Sequence, residues 1–128
     1  MVPVTVAELV RVLDGEVICG DGKLERKVSD FAASDLLSDI LALGKDDYAL
    51  LTCLNNVQVI QTAEITNACC VVILQGKQPR QAAVSLARRY GIPLSTSRYS
   101  MFDACGRLSR FLEKHDAGAE GSTDPSGA

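Results

Sequence analysis

From Val28 onward the chain repeats one unit at a spacing of about 22 residues: a short apolar run, a polar junction, then apolar residues recurring at helical intervals. Residues 28–32 lead to a helix from about Asp35 with Leu36, Leu37, Ile40 and Leu41 inward, and residues 48–51 lead to one carrying Val57, Ile60 and Ala63. Residues 70–74 lead, past Gly76 and Pro79, to Ala82, Ala83, Leu86, Ala87 and Tyr90. Residues 93–95 lead to Phe102, Cys105, Leu108, Phe111 and Leu112. Helices joined to strands by such short junctions form right-handed crossovers between neighbouring parallel strands. The expected fold is α/β: a three-layer α/β/α sandwich around a mostly parallel sheet of about four to five strands. Cys70-Val-Val-Ile-Leu74 is apolar throughout, as a strand buried on both faces must be.

Ahead of the repeat, Thr5-Val-Ala-Glu8 fits a capping box, and Val6, Leu9, Val10 and Leu13 mark the apolar face of the helix it starts. Gly15 ends that helix, Glu16-Val-Ile-Cys19 is a short strand, and Gly20-Asp-Gly-Lys23 is a tight turn with no phosphate-loop pattern. At 128 residues and 47% hydrophobic, the chain suits a single domain, placed at residues 1–115. Residues 116–128 contain no large apolar side chain to offset the entropy of ordering, so they are expected to be a disordered tail. No apolar run approaches the roughly 20 residues that span a bilayer, and the opening residues lack a signal-peptide pattern, which places the domain in the cytoplasm.

In an open parallel sheet, ligands collect outside the carboxyl ends of the strands. The polar junctions there supply Ser29, Asp30, Thr52, Asn55, Asn56, Gly76, Thr96, Ser97 and Arg98 as candidate ligand contacts, with Arg98 as the partner for an anion. Helix capping competes for the same residue types. Asn55 with Gln58 resembles a capping box, Ser100 with Asp103 is a looser one, and Pro79 suits a first helical turn.

Catalytic groups do not assemble. The nucleotide loops and the nucleophile elbow are missing, and the single histidine, His115, sits at the end of the final helix. Five cysteines make an odd count without C-x-x-C spacing, so neither a disulfide framework nor a zinc site is expected, and no cofactor is implied. Cys53 precedes a helix start, which lowers a thiol pKa, and it alone carries a thiol-enzyme alternative. The net charge of −3 is unevenly spread: residues 1–75 hold five basic and eleven acidic side chains, residues 76–115 eight basic and two acidic. That asymmetry suits a small anionic ligand or an acidic protein surface, including a second copy. An acidic total and scattered tyrosines exclude a nucleic-acid platform.

The series Val28-Ser-Asp-Phe-Ala-Ala-Ser-Asp-Leu-Leu37, Leu51-Thr-Cys-Leu-Asn-Asn-Val57, Val72-Ile-Leu-Gln-Gly-Lys-Gln-Pro79, Gly91-Ile-Pro-Leu-Ser-Thr96 and Ser100-Met-Phe-Asp-Ala-Cys-Gly-Arg107 resembles the DRTGG domain. Thr5-Val-Ala-Glu-Leu-Val with Gly15-Glu-Val-Ile is similar to the amino-terminal domains of HPr kinase/phosphorylase and Mur ligases. The resemblance implies an HPr kinase N-terminal-domain-like α/β/α sandwich and an accessory module rather than a kinase. Free-standing DRTGG members are associated with iron-only hydrogenase systems, which implies a redox-enzyme or signalling partner. Where the family has a glycine and then Asp-Arg after the threonine, this chain has Thr52-Cys53-Leu54-Asn55, and Gln75-Gly76-Lys77 replaces Thr-Gly-Gly. Thr52 and Gly76 are what remains of the motif.

The expectation is a non-catalytic regulatory or accessory domain, homodimeric, that senses a small anionic ligand or nucleotide. A purely protein-binding module is the alternative, and a Cys53 enzyme the third.

Overall fold

The computed structural model describes residues 3–123. Its main sheet has the order β2-β7-β6-β5-β4, where β2 is Glu16–Cys19, β4 Asp30–Ala33, β5 Tyr48–Thr52, β6 Ala68–Ile73 and β7 Leu94–Thr96. The last four strands are parallel neighbours in chain order. Their crossovers are α2 (Leu37–Ala42), α3 (Val57–Ile65) and α4 (Gln81–Tyr90). Stepping along a sheet in one direction with crossovers of one hand puts every connecting helix on the same face. Accordingly α2 packs on α3 and α3 on α4. The opposite face is covered by α1 (Val6–Val12) and α5 (Met101–Thr123), which touch each other. The three layers expected from the repeat are present.

Side-chain parity divides the core. Tyr48, Leu50, Val71 and Ile73 point into the cluster under α2–α4, whereas Ala49, Leu51, Val72 and Leu74 point into the one under α1 and α5. Every residue of β5 and β6 is buried. The pairing runs Tyr48 to Ala68 and then Ala49 to Cys70, so Cys69 is an extra residue, and Cys69 and Cys70 fall in the same cluster. The Tyr48 hydroxyl, taken fully into the core, shares a 2.6 Å hydrogen bond with Thr66.

At the amino end, Thr5 caps α1 in a complete capping box with Glu8. β1 (Val4–Thr5) pairs antiparallel with β3 (Lys27–Val28) in a separate two-stranded ribbon. Gly15 then delivers the chain to β2, which runs antiparallel beside β7. A Cβ at Gly15 would lie 2.9 Å from the Thr96 carbonyl oxygen, so only glycine lets the chain pass this close.

Two expectations about apolar faces are corrected. α2 is only six residues long and fully buries Ile40, while Leu36 and Leu41 are 56% and 51% exposed. The sheet ends at β4, so no strand lies beneath α2's outer row. Phe102, read as inward, is 87% exposed. The backbone of α5 continues beyond residue 115 to Thr123; residues 124–128 of the expected disordered tail lie outside the described residues.

Candidate functional site

The registers Thr52 to Ile73 and Ile73 to Thr96 set the carboxyl edge of the sheet. β2 enters from that edge, with Glu16 paired to Thr96, so Asp14 and Gly15 arrive there as well. Two clasps brace the loops. The Asp35 carboxylate accepts from the Thr52 hydroxyl at 3.1 Å and the Cys53 amide at 2.6 Å, and Thr52 Oγ1 accepts from the Leu54 amide at 3.1 Å. Asn55 joins the loops before α3 and α4: its Nδ2 donates to the Gln78 carbonyl at 2.8 Å, and its own carbonyl accepts from the Arg80 amide at 3.0 Å. Asn56 Oδ1 takes the Val59 amide at 3.2 Å and is the N-cap of α3.

Beside these clasps lies a cleft of about 320 Å³. One wall is Asp14, Gly15 and Glu16; the other is Gly76 and Gln78, with Thr96, Ser97 and Arg98 between them. Ser97 holds the parts together. Its hydroxyl donates to the Leu13 carbonyl at 2.7 Å and its carbonyl accepts from the Gly76 amide at 2.9 Å. Gln75 and Gly76 both take positive φ, 62° and 66°, turning the chain over the cleft. The Arg98 guanidinium meets the Asp14 carboxylate at 3.2 Å, with both side chains largely exposed at 83% and 66%. Such a pair contributes about 0–1 kcal/mol and exchanges partners at little cost.

Of the nine candidates, Gly76, Thr96, Ser97 and Arg98 converge on the cleft. Thr52, Asn55 and Asn56 share that edge, but their polar groups hold the loops together. The α3 cap is Asn56, one residue later than the Asn55 and Gln58 pattern suggests. Ser29 and Asp30 stand at the opposite end of the sheet, because β4 begins at Asp30. There Asp30 accepts from Lys45 at 2.9 Å and from the Phe31 amide at 2.8 Å, which holds its carboxyl below the usual range. Asp14 and Glu16 are the cleft residues that local patterns missed; only the antiparallel return of β2 brings them in. Gln78 and Asp35 lie in the polar junctions that follow β6 and β4.

The surroundings of Cys53 do not favour its thiolate. Burial raises the Cys53 thiol pKa and the Asp35 carboxylate adds to the rise, with Lys77 opposing; the helix start does not activate it. All five cysteines are shifted the same way by burial, Cys70 to about 12. Among the described residues no group of three or more His, Cys, Asp or Glu is placed to hold a metal, and no helix is long and apolar enough to cross a membrane.

A five-stranded, mostly parallel sheet between two helical layers, with a polar cleft at its carboxyl edge, defines a class of small α/β domain that does not by itself specify chemistry. The DRTGG domain family profile matches residues 8–111, and the chain belongs to that family. Its fold is similar to the CBS and DRTGG domains of the regulatory region of Clostridium perfringens pyrophosphatase, solved in complex with the activator diadenosine tetraphosphate. The TM-score is 0.66 at 9% identity, covering 81% of this chain and 45% of that one, so this chain spans less than half of its neighbour's length. No curated protein matches the sequence. The likeness to HPr kinase stays with the opening sequence.

Proposed function

We propose that this DRTGG domain is a non-catalytic regulatory or accessory module of the cytoplasm that senses a small anionic ligand, a nucleotide among the candidates, at the carboxyl-edge cleft. The observation that carries the reading is the convergence of Gly76, Thr96, Ser97 and Arg98 on one polar hollow whose cation is paired with an exposed, exchangeable carboxylate. A ligand anion would displace Asp14 from Arg98, and Gln78 and Thr96 would supply hydrogen bonds. The regulatory region of the pyrophosphatase, with its bound nucleotide activator, supports the class of role.

A thermal-shift screen of nucleotides and acidic metabolites tests it. At least one compound should raise the melting temperature, and Arg98→Gln should abolish most of the shift; no response at millimolar concentration overturns the small-molecule reading.

A second reading is favoured by a different surface. Arg107, Arg110 and Lys114 line a groove of about 270 Å³ with Val12 and Phe111, and the Arg107 guanidinium lies 4.1 Å over the Tyr99 ring. This basic face suits an acidic protein partner, either a second copy in a homodimer or a redox enzyme such as an iron-only hydrogenase. Sedimentation across ionic strength should then reveal a complex that weakens with salt.

A further inference from the structure

A second hollow is larger than the polar cleft. It is a groove of about 510 Å³ between β4 and α5, walled by Phe31, Ala33, Leu51, Leu108 and Leu112. β4 is the end strand of the sheet and pairs only with β5. Ala32 also lines the groove although its side chain packs in the opposite cluster, so the groove reaches the strand's backbone edge. On the other face, the connection that follows β4 carries exposed Leu36, Leu41 and Leu43. An open strand edge flanked by apolar side chains is a template for pairing with another chain.

Charge identifies what would pair. Three cations of α5, Arg107, Arg110 and Lys114, line the separate groove against α1, and the two charged residues of α5 that border the β4 groove, Glu113 and Asp116, are both acidic. Residues 29–42, which include β4 and α2, add Asp30, Asp35 and Asp39 and no cation. The next cation along the chain, Lys45, is paired with Asp30. A second copy brought to the edge about a two-fold axis would set these acidic borders against each other, which disfavours self-pairing.

We propose that the β4 edge and its groove take an extended segment of a partner protein, adding it as a sixth strand, and that this segment alternates apolar residues between flanking lysines or arginines. Alternate side chains of such a segment fill the groove, and its backbone pairs with β4. The site is distinct from the polar cleft and stands or falls separately from it.

The experiment uses the full chain and two nine-residue probes, Lys-Lys-Val-Thr-Val-Thr-Val-Lys-Lys and the same peptide with glutamate at the four flanking positions. Cys105 lines the groove and is the one cysteine of the five that is not buried, so its alkylation rate reports occupancy directly. The lysine peptide should slow that alkylation and the hydrogen exchange of the β4 amides, and bind at least about tenfold more tightly than the glutamate peptide. Glu113→Lys with Asp116→Lys should erase the preference, and Ser109→Arg, on an exposed position of the groove, should block both peptides. Far-UV spectra confirm that each variant is folded. Equal binding of the two peptides, binding indifferent to the charge reversal, or no protection of Cys105 overturns the proposal. Protection of β4 in the chain alone that grows with concentration would assign the edge to a second copy, and overturns it as well.

Discussion

Two adjacent amides at the start of α3 have different work. Asn56 satisfies the Val59 amide as an N-cap, and Asn55 ties two loops together. Replacing Asn56 by alanine should cost about 1 kcal/mol in urea unfolding, as caps do. Asn55→Ala should cost a similar amount, about 0.5–1.5 kcal/mol. Gln58→Ala should stay within about 0.5 kcal/mol, which separates the observed cap from the Asn55 and Gln58 pairing that the sequence suggests. Residue types therefore disclosed that a cap exists but not which asparagine it uses, since both are competent, and nothing local to Asn55 points to Gln78. Glu8 gives a pH test. The Thr5 backbone amide holds its carboxylate below the ordinary range, with the Thr5 hydroxyl and the charges of His115 and Arg11 adding to the effect against burial. A depressed folded pKa stabilises the protein above the unfolded value, about 4.3, and that stabilisation disappears as pH falls through the folded value. Melting temperature should thus drop on acidification below about pH 4.5, and Glu8→Gln, which still fits a capping box, should flatten part of the drop.

Among the elements, strands were legible because each buried run is short, apolar and bounded by polar junctions. What periodicity could not convey was where the layers stop. Leu36, Leu41 and Phe102 keep helical spacing with their neighbours, yet α2 packs on α3 with only Ile40 fully buried, and Phe102 lies outside α5's packed face. A one-dimensional pattern marks a stripe and not the extent of the surface beneath it. Placing Ser29 and Asp30 at the ligand edge failed for a related reason. β4 begins at Asp30, so Ser29 and Asp30 lie at its amino end, and Ser34 and Asp35 are the polar residues that follow its carboxyl end. The cysteines test the layering itself. Under native conditions Cys105 should react first with a thiol reagent. Cys70, wholly within the core between the sheet and its helices, should react last by at least about a hundredfold, because only opening of the core exposes it. Equal rates for the two would contradict the packing of α5 against the sheet.

At the scale of the whole molecule, the sequence displayed charge as a contrast between halves of the chain. Folding redistributes that contrast into a neutralised pair at the cleft, a basic groove on one side of α5 and an acidic border on the other. These sites became visible only once β2 returned beside β7 and α5 crossed toward β4. Gly15 belongs to this scale because it lets the return happen. Gly15→Ala places a methyl against the Thr96 carbonyl, and should destabilise the fold by about 1–3 kcal/mol while weakening any ligand shift in the same samples. The antiparallel pairing of β2 has one more outcome, in time rather than space. Glu16 finds Thr96 only after about 80 further residues have been synthesised. At roughly 5–20 residues per second, the first strand of the main sheet waits about 4–16 s on the ribosome for its neighbour. During that interval α1 also lacks α5, so the apolar faces of α1 and β2 stay uncovered until the last strand and the last helix have emerged.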